Sequence, residues 1–350
     1  MKTKPLHPDT KAQNFNSASS ILPSRINFSD DDQLPEILFI TSFPPRECGI
    51  ATYSQDLMKA LNNQYVSSFK LTVCALENDN ERHLYHDEEV KYTLNTSDSK
   101  SYDTLLQSIN ADENIKVVVL QHEFGLFADD VLSFNKFITD LQKPLSVVFH
   151  TVLPRPDEVF KKNVQHILDR ADSIIVMTEN SSNILLEDYT VTKDKISVIP
   201  HGTHLVPHKD KNALKIKYGV KGRKILSTFG LLSSGKSIET TLDALPKIIN
   251  KSPDVLFLII GKTHPGVVIH EGEIYRESLE AKIKELQLEN HVQFVNKYLP
   301  LEELLDYLQL TDIYLFTSKD PNQAVSGTFS YAMSCGCAID STPIPHAKEM

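Results

Sequence analysis

Short runs of β-branched and other apolar residues recur along this chain, separated by longer amphipathic stretches. That alternation constrains the fold more than any other feature. The runs are Glu36 to Phe43, Phe69 to Leu76, Val117 to Leu120, Leu145 to Phe149, Ser173 to Met177 and Ile196 to Ile199. The first helical stretch leads from Cys48-Gly49-Ile50 to about Leu61. Near-continuous apolar strands divided by helices predict a parallel sheet covered on both faces. Residues 200–223, with Pro207 and several lysines, break the pattern. It restarts with Lys224 to Thr228, Val255 to Ile260, Val292 to Val295, Ile313 to Phe316 and Ala338 to Ile339, and a helix is expected over about Tyr275 to Leu288. The class is therefore α/β, with two doubly wound domains over 36–205 and 206–350. Such sheets bind ligands at the carboxyl ends of their strands, so the two domains are expected to share a cleft.

A chain of 350 residues with 41% hydrophobic content can bury two such cores. Residues 1–35 are polar and lack the apolar segment of a signal peptide, and they read as a disordered tail. No later segment has the apolar length of a membrane helix. The chain reads as cytoplasmic, with peripheral membrane contact left open. A net charge of -10 speaks against a nucleic-acid surface, which needs clustered Lys and Arg. Four cysteines are too few and too scattered for a disulfide framework, and Cys335-Gly336-Cys337 reads as small residues between a helix and a strand.

Two loops carry the strongest chemistry. Ser326-Gly327-Thr328 follows the Ile313–Phe316 strand and opens a helix, whose free first-turn N–H groups attract anions. Phe229-Gly230 through Gly235-Lys236 follows another strand. Two anion-friendly loops at the ends of parallel strands suggest a diphosphate site. The second loop also matches a Walker motif literally, from Gly230 to Ser237, but no magnesium-binding partner strand accompanies it. Gln121-His122 and His150-Thr151 each begin where an apolar run stops, so either histidine could donate to sugar hydroxyls or a developing charge. On paper the two histidines resemble a metal pair, but a third ligand is missing and no metal is expected. Gly49 is a turn glycine that also lets a ligand approach the backbone, and Arg46 beside it is either an anion contact or a solvated charge. Pro200-His201-Gly202 reads as a hinge. Gly261 to Gly266, with His264, is either a nucleotide-facing loop or a polar turn.

In order and spacing, several motifs resemble the retaining GT-B glycosyltransferases of family 4. They are residues 43–54 (FPPRECGIATYS), His150-Thr151, Val198 to Gly202, Phe229 to Lys236, Ile259 to His264 and Ser326 through Gly336. The resemblance implies two Rossmann-like domains and transfer of a hexosyl group from a nucleotide diphosphate sugar, of the GDP-mannose or UDP-glucose type, to a carbohydrate acceptor. The donor is implied in the second domain, on Gly230, Lys236, His264, Gln323, Ser326, Gly327 and Thr328, with Gly49 facing it. Lys236 is implied as the diphosphate lysine, with His150 near the reacting sugar, and His122 stays a catalytic candidate from its place at a strand end. No cofactor or bound metal is implied.

Three departures qualify the resemblance. Many relatives carry two glutamates eight positions apart, and here those places hold Gln323 and Tyr331. The arginine that often precedes the lysine is Leu231. The chain stops at Met350, where the family runs on through a further strand-helix unit and a helix returning to the first domain, so a truncated chain is expected. A non-catalytic binder of the same fold stays open as the alternative. An epimerase or phosphorylase lacks a signature here, and no Gly-x-Gly-x-x-Gly follows the first strand for a dehydrogenase.

Overall fold

The computed structural model describes residues 34–86 and 88–350, so all of the expected tail but its last two residues lies outside the described residues. The first half contains β1 (Glu36–Thr41), α1 (Gly49–Gln64), β2 (Lys70–Glu77), β3 (Val90–Asn95), α2 (Ser99–Ala111), β4 (Ile115–His122) and α3 (Val131–Asp140). It continues with β5 (Leu145–Phe149), α4 (Glu158–Arg170), β6 (Ser173–Val176), α5 (Glu179–Asp188) and β7 (Ile196–Val198). The second half contains α6 (Lys211–Lys217), β8 (Lys224–Phe229), α7 (Ile238–Ile249), β9 (Val255–Ile260), α8 (Pro265–Glu271) and α9 (Ile274–Glu285). It ends with β10 (Val292–Val295), α10 (Leu301–Leu310), β11 (Ile313–Phe316), α11 (Gly327–Ser334), β12 (Ala338–Ser341) and α12 (Pro345–Glu349).

Among the described residues the strands form two separate parallel sheets, ordered β3-β2-β1-β4-β5-β6-β7 and β10-β9-β8-β11-β12. Alternate residues on each central strand enter opposite cores. Leu38 and Ile40 of β1 pack with Leu120 and Val147, whereas Phe39 packs with Phe43, Met58 and Val73. In the second sheet Leu258 and Ile260 enter one core, and Phe257 and Ile259 the other. This is the period-two geometry of a strand buried on both faces. Side chains of Asp98, Asp130, Asp157 and Thr178 cap α2, α3, α4 and α5.

The strand order reverses direction at β1 and β4 in one sheet and at β8 and β11 in the other, and doubly wound sheets open their ligand crevices at such points. The loops after β1 and β8 face each other there.

The structure departs from the sequence reading in two places. β3 was not expected, because at the sheet edge it buries only Leu94, and Lys91 and Thr93 are exposed. β4 runs through His122 instead of stopping before it: His122 pairs with Phe149, and its carbonyl accepts from the His150 amide at 3.0 Å.

The connection between the halves is anchored by Asp306, which is fully buried. Its carboxylate accepts from Lys209 Nζ (2.7 Å), Lys217 Nζ (2.7 Å) and the Tyr218 hydroxyl (3.1 Å). Burial pushes this carboxyl up, but the bonds from Lys209, Lys217 and Tyr218 outweigh it and hold it below the usual carboxylate range. Because the folded value is depressed, the contribution is present above the ordinary carboxylate pKa of about 4 and is lost as pH falls below it. Asp306→Ala should lower the unfolding free energy by about 2 kcal/mol in urea titrations at pH 7, with a smaller difference at pH 3.

Candidate functional site

The loop after β8 turns at Gly230 with φ +126°, and the loop after β9 turns at Gly261 with φ +121°. These backbones pass so closely that a Cβ on Gly261 would lie 2.1 Å from the Gly230 carbonyl oxygen. A Cβ on Gly230 would meet Lys236 Nζ at 2.8 Å and Thr328 Cγ2 at 3.1 Å. Positive φ and close approach both demand glycine here. The chain then folds back through a 3-10 turn at Ser234–Lys236 and a left-handed Ser237 (φ 50°). Lys236 thereby lies over Gly230 and donates to the Phe229 carbonyl at 3.4 Å. Burial pushes its ammonium down to about 8. A half-buried cation lying against backbone and a helix start is suited to an anion.

The α11 start forms the other wall. Ser326 is buried, and its Oγ accepts from the Phe329 amide (3.3 Å) while its own amide donates to His346 Nδ1 (3.0 Å). Ser326 therefore shapes the wall from behind, and Gly327 and Thr328 line the cleft. Gln323 does not line it, and its amide donates to the Val325 carbonyl (3.3 Å). His264 lines the cleft while its Nδ1 accepts from the Gly266 amide (3.0 Å), capping α8.

Across a space of about 980 Å³ stands the first half, with Gly49, Thr52, Tyr53 and Asp56 of α1. A Cβ on Gly49 would meet nothing within 4 Å. Arg46, at the rim, is paired with Glu81 (2.7 Å) and donates to the Leu76 carbonyl (3.2 Å). His150 is buried behind this wall, with Nε2 bonded to Gln121 Oε1 at 2.7 Å and its ring edge-on to Tyr53. The amide oxygen only accepts, so Nε2 donates and Nδ1 keeps the lone pair. Burial pushes His150 down to about 3, and it is neutral near pH 7.

His122 is not brought to the cleft. Its ring lies in the core among Phe124, Phe127, Phe134 and Phe149, burial pushes it down to about 3, and Nδ1 has no partner among the described residues. The reason is strand parity: β4 continues through His122, and its side chain takes the core-facing position.

Sequence reasoning missed residues that the tertiary fold delivers. His201, read as a hinge, lines the cleft. Its Nδ1 donates to the Gly202 carbonyl (2.8 Å), its ring contacts Tyr53, and Nε2 lies 3.2 Å from where a Gly327 Cβ would stand. The two halves also bond directly across the opening. Glu47 pairs with Lys262, and Thr52 Oγ1 bonds the Tyr298 hydroxyl at 2.9 Å. Asp56 accepts from His204 and Tyr331. Several of these residues fall inside the motifs, but no local pattern pairs them, because each pair is separated by about 150 residues or more of chain.

Gly261→Ala should remove about 3 kcal/mol of stability and distort the Gly230 loop, since the new methyl meets backbone. Gly49→Ala should leave the melting temperature within about 1 °C of the original protein, and paired melts check both.

Residues 48–206 match the family described as Glycosyltransferase Family 4, and residues 210–350 match that described as Glycosyl transferases group 1. A stretch of 170 residues is 26% identical to the mannosylfructose-phosphate synthase of Agrobacterium fabrum (strain C58 / ATCC 33970), spanning 46% of this chain and 36% of that protein. The fold is similar to Anabaena HepE, crystallised with UDP and glucose, with a TM-score of 0.67 and 17% identity over 90% of this chain and 82% of that one. It is similar also to sucrose-phosphate synthase from Thermosynechococcus elongatus, with a TM-score of 0.69 and 16% identity over 89% and 82%. Two matched families in tandem and two facing parallel sheets lead to one conclusion: the chain belongs to the group 1, family 4 glycosyltransferases and has the GT-B fold.

Proposed function

We propose that this glycosyltransferase moves a hexosyl unit, of the glucose or mannose type, from a nucleotide diphosphate sugar to a sugar-containing acceptor with retention at the anomeric carbon. The observation that carries this reading is the cradle of Gly230, Gly261, Lys236 and the α11 start, which presents one half-buried ammonium and free backbone N–H groups to the first half across the cleft. The complexes of HepE with UDP, with UDP and glucose, and with UDP-glucose support a nucleotide-sugar ligand for such a cleft.

In the proposed step the bond between the anomeric carbon and the β-phosphate oxygen breaks while the acceptor oxygen bonds to the same face of that carbon. The acceptor proton passes to the departing phosphate oxygen. Lys236 and the α11 N–H groups stabilise the charge gathering on the diphosphate, where fixed donors in a water-poor site act most strongly. His150, a neutral ring behind the wall, positions Tyr53 beside the reacting sugar. His264 lies at the donor side of the cleft. Ser326 and Gln323 shape the α11 wall from behind, and His122 takes no part. The acceptor enters along the α1 side.

Lys236→Ala should cut donor turnover by about 100-fold or more with an unchanged melting curve, and equal turnover would remove Lys236 from its role. A bound diphosphate raises the Lys236 pKa from about 8, so binding should take up a proton near that pH, and affinity should fall as pH rises beyond it. Calorimetry of UDP and GDP in buffers of different ionisation heat reads both effects. Nucleotide-sugar binding without any release of nucleoside diphosphate, with a range of acceptors, would favour the non-catalytic binder instead.

A further inference from the structure

Of the two carboxylates that line the cleft among the described residues, Glu47 is neutralised by Lys262. Asp56 is different. Both of its hydrogen bonds go to one oxygen: Oδ2 accepts from His204 Nε2 at 2.9 Å and from the Tyr331 hydroxyl at 3.1 Å. Among the described residues Oδ1 has no hydrogen-bond partner. The side chain is 23% exposed and belongs to the cleft wall. Burial, then the neighbouring Asp56, push the Tyr331 phenol up, so it stays protonated and donates. Two donors from two different elements thus hold the carboxylate in one orientation and leave its second oxygen for another donor.

The position identifies that donor. Thr328 and Tyr331 are three residues apart on one face of α11, so their Cβ atoms are about 5–6 Å apart. Thr328 stands at the anion cradle against Gly230, and Tyr331 holds Asp56. Asp56 therefore lies a tyrosine side chain's length beyond the α11 turn that carries Thr328, on the same wall of the cleft, and a ribose is the group joined to the phosphates of a nucleoside diphosphate. A carboxylate oxygen recognises hydroxyl donors strongly. We propose that Asp56, contributed by the first half, reads a ribose hydroxyl of the donor nucleotide, with Tyr331 and His204 orienting it. The first half would then select the donor as well as hold the acceptor. This rests on the reading of the cleft as a nucleotide-sugar site.

The test is calorimetric titration of the full chain with UDP and GDP and with their 2′-deoxy and 3′-deoxy forms, in the absence of acceptor. The unaltered protein should bind the ribonucleotide about tenfold more tightly than one of the deoxy forms, the loss of one well-made hydrogen bond to a charged group. In Asp56→Ala the ribonucleotide should weaken by about tenfold while that deoxy form is little changed, so the preference disappears. Asp56→Asn, which keeps an acceptor oxygen, should retain part of it. A purely structural latch would weaken all nucleotides equally, and that result overturns the proposal, as does an Asp56→Ala variant that keeps the full ribose preference. If the unaltered protein binds neither UDP nor GDP, the reading of the cleft itself fails and this assignment with it.

Discussion

The close approach of the β8 and β9 carboxyl ends governs the rest of the site. With the Gly230 carbonyl where a Gly261 side chain would begin, two parallel strands deliver their loops into one narrow layer of backbone. Lys236 folds over that layer because Gly230 has no side chain in the way, and Thr328 of α11 closes against the same point. Every group assigned to the diphosphate depends on this packing. Leu231 lines the cleft beside Lys236, so that under the proposed function one partly desolvated ammonium acts there without a neighbouring arginine.

The second organising feature is the way the halves meet. Thr52 and Asp56 are one turn apart on α1, and they bond to Tyr298 and to Tyr331 with His204 respectively. On the far side the Glu349 carboxylate accepts from the amides of Glu179 (2.9 Å) and Asn180 (2.6 Å) at the start of α5. Negative charge at a helix N-terminus is favourable by a fraction of a kcal/mol or more. Cleft-lining residues and residues that bond across the cleft are therefore neighbours on a single helix.

Much of the architecture was legible in the sequence, for a definite reason. Strands buried on both faces, such as Val255 to Ile260, have no solvent face to dilute their apolar runs. The edge strand β3 carries only one buried residue, Leu94, and resembled loop. Gly230, Gly261 and Lys236 stood out because turns at strand ends that demand glycine leave local marks in sequence. His122 did not follow its apparent role, since one further residue of β4 pairing decided which way its ring points. His201 passed as a hinge because nothing local says that Tyr53 and Gly327 meet it.

The sequence by itself determined two doubly wound units, their doubly buried strands and the loops at those strand ends, because hydrophobic period and turn glycines are local properties of the chain. Only the tertiary structure decided which side chains share the cleft. It turned His122 into the core, set His150 behind Tyr53, and brought Asp56 of one half to Tyr331 of the other. Those outcomes depend on strand parity and on contacts spanning up to 275 residues of chain, which no local pattern encodes.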